Sequence, residues 1–424
     1  MKRRSVAVIG AGAAGMMAAV TAAREGASVT VYEHRSEAGR KLLMTGNGKC
    51  NLTNRRMDAR YYYSGCAEGE HIIQSVLAEF DETQTLAFFH EIGLLTYERD
   101  GYVYPQSEQA VTVRDVLFRE CLLSGVLFHF DTDIYSLLNY EKKTGTFAIG
   151  NQKYDRLILA CGGKSERQTG SDGSGYELAK RFGHRIGTPL PGLVPLYTGE
   201  SGWELLTGVR AKARICLFVE GTMVKESCGE LQFTAQGISG IPVFELSRIA
   251  VHSIYEGKRV EAEICFLNGR DQEAVQSLAD RMLVRESVMT GGQLQNAGLS
   301  LKQKLTGLVN DKILDFILQK TEGEGLAEQV TRFLFSCRIA ITGYGKLDHA
   351  QVTSGGILLD EVSAQLESRL CRGLFFAGEM LDVDGICGGY NLQWAWSSGY
   401  AAGRAAVGEY SSSPLREKSF RNGD

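Results

Sequence analysis

Apolar residues crowd the start of the chain. Residues 6–9 (VAVI) form a continuous apolar run, and residues 29–32 (VTVY) form a strand-like one. Between them lies a stretch rich in Gly, Ala and Met. This pattern predicts a buried strand, a glycine turn, a helix and a second strand. Further on, Ile72, Ile73, Val76, Leu77, Phe80, Leu86, Phe88 and Phe89 recur near helical spacing and predict a helix over 70–95. YERDGYVYP (97–105) reads as a hairpin turning at Asp100–Gly101, and 112–124 as another helix. Strand signals at 126–140, 145–149 and 156–160 predict a three-stranded meander. An apolar strand ending in Cys161-Gly162-Gly163 follows it.

The pattern changes after residue 190. Pro189, Pro191 and Pro195 cluster there, half of the 6 prolines. Residues 209–235 alternate in strand fashion, and 271–336 are helix-rich, with an apolar stripe over 313–335. From 352 to 408 the chain returns to an apolar strand (GLFFAGE) and a small-residue helix (NLQWAWSSGYAAGRAA). The expected organisation is a discontinuous cofactor domain, 1–190 and 343–410. An insert at 191–342 interrupts it, mainly β over 191–265 and mainly helical over 271–336. A polar tail, 411–424, ends the chain.

Composition narrows the class. The 424 residues are 44% hydrophobic and 23% charged, as in soluble globular proteins. The net charge is −4 and no long basic block occurs, so nothing marks a nucleic-acid surface. No apolar run is long enough to span a membrane. The 10 cysteines lack C-x-x-C pairs and zinc spacing, and so read as reduced thiols of a cytoplasmic protein. Lys2, Arg3 and Arg4 precede a small apolar run. That run is glycine-rich and continues into helix and strand, unlike a secretory signal.

Gly10, Gly12 and Gly15 stand in G-x-G-x-x-G spacing between the first strand and the first helix. Gly10 permits the tight turn, Gly12 lets backbone approach a pyrophosphate, and Gly15 lets helix pack on strand. The helix N-terminus favours the phosphate charge. Glu33, at the end of the second strand, would accept hydrogen bonds from a ribose diol and repel a 2′-phosphate, which favours FAD or NAD over NADP.

A second glycine loop, TGNGKCN, follows at 45–51. It would bring N–H groups to an electron-rich ligand. Lys49 would stabilise a reduced, anionic flavin. Cys50 is read as a redox thiol or, with more weight, as a buried and inert one. His184 reads as a core histidine after a helix. Asp382 and Asp384 are too few for a metal cage, so no metal is expected. Tyr390 is either a proton donor or, with more weight, a packing or flavin contact. Trp394 and Trp396 read as core.

The stretches GRKLLMTGNGKCNLTN, GELQFTAQGISG and AGEMLDVDGICGGYNLQWAWSSGYAAG resemble the YhiN/BaiN family of bacterial flavoproteins, a group that also includes aminoacetone oxidases. The resemblance runs from about residue 4 to 408. It implies an α/β fold: a Rossmann-like FAD-binding domain of the two-dinucleotide-binding type, with an inserted β-barrel-like subdomain and a small helical one. It also implies one tightly bound FAD. Carried over by position, Gly10, Gly12, Ala13, Ala14 and Gly15 would hold the pyrophosphate, and Glu33, with His34 beside it, the adenosine ribose. Arg40, Lys41, Thr45, Gly46, Gly48, Lys49, Cys50 and Asn51 would lie along the flavin. Ile134 would offer backbone to the adenine, and Ala160, Cys161 and Gly162 would pass near the pyrophosphate. Gly378 and Glu379 would hold ribityl or phosphate oxygens, with Asp384 supporting that turn. Gly389, Tyr390, Asn391 and Leu392 would open a helix facing the flavin pyrimidine edge. Two positions depart from the family pattern. GGKSERQTG replaces its usual Ser-Tyr-Pro, and Ala235 stands where a histidine is common.

The resemblance implies an FAD-dependent oxidoreductase acting on a small molecule. One version is an NAD(P)H-dependent reductase of an enone C=C bond, with a steroid- or bile-acid-like substrate. No second complete glycine fingerprint is present, so NADH or NADPH would bind only transiently. Another version is an O2-using oxidase of a small amine. A non-catalytic flavin-binding regulator is the alternative of a different class. An RNA-modifying flavoenzyme is disfavoured by the net charge. The oligomeric state is not legible.

Overall fold

The computed structural model describes residues 3–284, 287–290, 293–296 and 299–408; the expected polar tail lies outside them. The chain divides into two compact units. One runs to Pro191 and resumes at Leu347, and the other is Gly192–Lys346.

The first unit is built on a five-stranded parallel sheet. Its order is Leu374–Phe376, Arg156–Leu159, Ser5–Ile9, Ser28–Tyr32 and Leu127–His129. The first strand is central because both its faces are covered: Val6, Ala7 and Val8 are wholly buried. Helix Ala13–Arg24 packs on this sheet and against the last helix, Tyr390–Val407. Small residues make that approach possible. A Cβ on Gly399 would lie 2.5 Å from the Ala14 carbonyl oxygen, and one on Gly403 would lie 2.4 Å from that of Ala18. Trp394 and Trp396 are core, as read. Their indole N–H groups donate to the carbonyls of Gly378 (3.1 Å) and Leu52 (3.0 Å).

The hairpin Thr96–Arg99/Tyr102–Pro105 turns at Asp100–Gly101, both with positive φ, the geometry that matches strand twist. The meander is Leu138–Glu141, Thr146–Ile149 and Gln152–Tyr154. Two expectations need correction. The helix expected over 70–95 is two helices, Gly69–Glu79 and Glu82–Glu91. Asp81 starts the second with a capping box, its carboxylate and the Gln84 side chain each bonding the other's backbone amide. The strand expected over 126–140 is broken, because the amides of Asp131 and Thr132 bond back to the carbonyls of Arg35 and Glu33.

The second unit is a closed antiparallel barrel. Its order is Leu196–Thr198, Gly237–Ser239, Thr222–Thr234, Arg210–Val219, Val260–Cys265 and Cys337–Tyr344. Inward-facing Ile215, Leu217, Leu231, Phe233, Ile238 and Ile264 fill it. Helices Asp311–Gln319 and Leu326–Phe335 add Ile313, Leu314, Ile317, Val330 and Leu334 to the same core. The stretch read as mainly β also holds a helix, Ile241–Tyr255. Its buried Val243, Leu246, Ser247, Ala250 and Val251 follow i, i+3, i+4, i+7, i+8. Among the described residues no helix is long and apolar enough to cross a membrane.

Candidate functional site

The first glycine turn is shaped by three different constraints. Gly10 has φ +99°, and a Cβ there would sit 2.5 Å from the Ala160 carbonyl oxygen. At Gly15 a Cβ would sit 1.9 Å from the Gly10 carbonyl oxygen. Neither position tolerates a side chain. Gly12 is extended (φ −77°, ψ −173°), and a Cβ there would meet nothing within 4 Å. The fold itself therefore does not need glycine at 12; the missing side chain leaves room in front of the helix. The amides of Ala13 and Ala14, in the helix's first turn, have no intrahelical acceptors. This is where a pyrophosphate fits.

Glu33 supports the turn. Its carboxylate accepts from the Ala11 amide at 2.8 Å and from the Arg35 amide at 2.9 Å. A carboxylate has about four acceptor sites, so two remain for a ribose diol. His34 is half-buried, with Nε2 3.8 Å from Glu33 Oε1. The Asp131 and Thr132 amides donate to the carbonyls of Arg35 and Glu33, which brings the Ile134 loop to the same edge. Ile134 is buried, and its carbonyl accepts from Leu137 and Leu138. The Ala160 amide donates to the Ile9 carbonyl at 2.8 Å, placing Ala160, Cys161 and Gly162 beside the turn. Gly162 has φ +78°, and its Hα side faces Ser171 Oγ, a buried hydroxyl without a protein partner.

The second loop uses glycine for conformation. Gly46, Asn47, Gly48 and Cys50 all have positive φ. Thr45 Oγ1 donates to the Leu42 carbonyl at 2.6 Å, and the Cys50 amide to the Thr45 carbonyl at 3.1 Å. Burial pushes the Cys50 thiol up to about 12, against a hydrogen bond with Thr45 that lowers it. Cys161 is pushed up to about 12 for the same first reason, with Glu33 and Asp172 adding to it. Burial disfavours the thiolate at both positions, which supports the buried, inert reading of Cys50. The Lys49 ammonium pairs with exposed Glu108 at 2.6 Å. The Asn51 amide nitrogen faces the carbonyls of Thr53 and Val103 at 3.0 and 3.2 Å. Arg40 is half-buried at the head of helix Arg40–Met44.

The return segment meets the head of the first helix and the strand that follows the second loop. Gly378 packs on the first helix, where a Cβ would lie 2.7 Å from the Ala14 Cβ. A Cβ on Gly389, with φ +96°, would lie 2.7 Å from the Thr53 backbone. Helix Tyr390–Val407 starts there without a side-chain cap, so its dipole sets partial positive charge at that end. Asn391 clamps the preceding turn, its amide bonding both the N–H and the C=O of Gly385. Leu392 is half-buried. Asp384 is buried, and its backbone pairs with Tyr63. The Tyr390 hydroxyl donates to the Arg56 carbonyl at 3.1 Å, and the ring is buried against Tyr62. This packing role displaces the proton-donor reading. The Glu379 carboxylate is likewise taken, by Lys41, Ser165 and the Thr353 amide. Those three bonds make it a cross-link within the protein. Ser165 and Thr353 carried no recognisable signal in the sequence.

His184 is a core residue. Its side chain is fully buried, with Nε2 2.7 Å from Ser368 Oγ and Nδ1 3.2 Å from Glu361. Ser368 Oγ also accepts from the amides of Leu370 and Cys371, which commits it to this structural role. Among the described residues no group of three or more His, Cys, Asp or Glu side chains could hold a metal.

The HI0933-like protein Rossmann domain family matches residues 4–405. The chain is 37% identical over 417 residues to a 3-dehydro-bile acid delta(4,6)-reductase of Clostridium scindens, covering 95% of this chain and 98% of that one. It is 29% identical over 430 residues to a ribosomal RNA dihydrouridine synthase of Escherichia coli, covering 97% and 100%. Among solved structures, 3-ketosteroid delta1-dehydrogenase from Sterolibacterium denitrificans aligns at 13% identity with a TM-score of 0.49, covering 96% of this chain and all of that one. The chain belongs to the HI0933-like Rossmann family and is an FAD-dependent oxidoreductase.

Proposed function

We propose that this enzyme reduces a carbon–carbon double bond conjugated to a ketone in a steroid-like substrate, with NADH or NADPH as the electron donor. The observation that carries this reading is the 37% identity, spread over nearly the whole of both chains, to a bile-acid delta(4,6)-reductase. Dihydrouridine also arises by reducing a C=C bond conjugated to a carbonyl, so both relatives point to one reaction type. We favour the small molecule over RNA because the chain is more similar to the bile-acid enzyme and carries a net charge of −4.

Bound FAD would supply the hydride chemistry. The protein's part is to hold and bias the cofactor. The open space at Gly12 would admit the pyrophosphate, and the amides of Ala13 and Ala14 would receive its charge. Glu33 would hold the ribose. The uncapped start of helix Tyr390–Val407 carries partial positive charge, which would favour an electron-rich reduced flavin held against it.

The test is anaerobic mixing of the FAD-loaded protein with NADH and with NADPH. Loss of the long-wavelength flavin band is expected with at least one of them, followed by its return on adding a 3-oxo-Δ4 steroid. Bleaching only by a small amine, with peroxide formed on aeration, would replace this reading with an amine oxidase. Re-oxidation by ribosomal RNA and not by the steroid would move the substrate to uridine. No reduction by any donor would favour a flavin-binding regulator.

A further inference from the structure

The Glu379 carboxylate joins four distant segments of the first unit. Its Oε2 accepts from Lys41 Nζ at 2.6 Å. Its Oε1 accepts from Ser165 Oγ at 3.0 Å and from the Thr353 amide at 2.6 Å. Lys41 Nζ also donates to Ser165 Oγ at 2.6 Å. Thr353 Oγ1 closes the network by accepting from the amides of Lys164 and Ser165 at 2.7 and 3.0 Å. Gly163 makes the approach possible: a Cβ there would lie 2.4 Å from Thr353 Oγ1 and 3.1 Å from Glu379 Cδ. Ser165 and Thr353 are buried, while the Lys41 and Glu379 side chains keep 26% and 20% exposure.

The pair spans the expected cofactor path. Lys41 lies in helix Arg40–Met44, which runs directly into the glycine loop at 45–51. Glu379 follows Gly378, which packs on Ala14 at the head of the first helix. Each charge is offset by the other and fixed by charge-assisted hydrogen bonds. Their partial burial weakens screening, so an uncompensated charge of either sign would be felt by an electron-rich group nearby.

We propose that Lys41 and Glu379 form a charge pair that sets the electron affinity of the bound flavin. Neither is a catalytic residue; each positions and neutralises the other. The inference rests on the reading that the flavin end of FAD runs along residues 45–51. Removing the Lys41 charge leaves a carboxylate facing that path and makes reduction harder. Removing the Glu379 charge leaves an ammonium there and makes reduction easier.

The test uses FAD-loaded wild type, Lys41→Met, Glu379→Gln and the double variant. The two-electron potential of each is measured by equilibration with a reference dye. Lys41→Met is expected to shift the potential down and Glu379→Gln up. The double variant should return toward wild type, and Lys41→Arg should stay near it. Loosening of the fold cannot produce opposite signs. Shifts of one sign in both single variants, no shift in either, or loss of FAD from both would overturn the charge pair. A flavin spectrum and FAD affinity unchanged by Gly48→Asn, whose side chain enters the open space at the 45–51 loop, would instead overturn the placement of the flavin end, so the two failures are read from different variants.

Discussion

At the first glycine turn, side chains on Gly10 and Gly15 would run into backbone oxygens at 2.5 and 1.9 Å. In the loop at 45–51, Gly48 has open space around it and a φ of +83°. One turn excludes side chains because strand and helix need the volume. The other needs glycine for a left-handed backbone, and neighbouring Asn47 and Cys50 adopt that backbone with side chains. Gly12 fits neither case. Its backbone is extended and its Cβ direction is empty, so neither packing nor backbone conformation calls for glycine there, and we propose that the cofactor does. Identical residues thus serve packing, conformation and vacancy, and substitution separates the three.

The largest effect is expected at Gly15. A Val there cannot clear the Gly10 carbonyl, and the fold should lose about 3 kcal/mol or more, the upper end for overpacking. Chemical denaturation of the variant would measure this, and near-wild-type stability would erase the packing class. Gly12→Val comes next and should act on the ligand instead. We expect FAD to bind at least ~100-fold more weakly, about 2.7 kcal/mol, while the FAD-free protein melts within a few degrees of wild type. A Gly48→Ala variant should lose roughly 1 kcal/mol through left-handed strain, and Gly48→Asn less, because Asn tolerates that region. Equal losses for Ala and Asn would show that the loop's backbone conformation is not what glycine serves there.

A further effect lies away from both turns and grows with acidity. Burial holds His184 below its ordinary 6.5, against the opposing pull of Glu361. The native state therefore refuses a proton that the unfolded chain accepts. Stability should fall as pH drops below about 6.5, by up to about 1.4 kcal/mol per pH unit from this residue. His184→Gln should be less stable near neutrality and lose that part of the slope. An unchanged slope would contradict the assignment.

The sequence made the cofactor fold legible because its signals are local. The order VAVIGAGAAG…VTVYE carries strand, turn, helix and acid within 28 residues. The hairpin at Asp100–Gly101 is fixed by two adjacent residues suited to positive φ. The helix Ile241–Tyr255 was missed although its apolar spacing is helical and Pro242 sits in its first turn. The strand alternation just before it, over 209–235, drew the whole region toward β. The break at Phe80–Asp81 was legible in the D-x-x-Q capping box, which the continuous apolar period across it obscured.

Site residues fared unevenly for a related reason. Glycines announce themselves by type, and the turn at 10–15 needed no partner to be recognised. Side-chain roles depend on distant partners. Lys49 finds Glu108 across 59 residues, and Lys41 finds Glu379 across 338. Nothing in either local sequence encodes those pairings. For Tyr390 and Cys50 residue type suggested chemistry as the lesser reading, and their burial, with the Arg56 carbonyl partner of Tyr390, could be seen only in the fold.

The most direct measurement is the mass of the product. The FAD-loaded enzyme is incubated anaerobically with a 3-oxo-Δ4 bile acid and NADH or NADPH, and the steroid is recovered for mass spectrometry. A gain of two hydrogens, absent with Gly12→Val, is the predicted result. Recovery of unchanged steroid from an enzyme whose flavin the nicotinamide does reduce would contradict the proposed reaction.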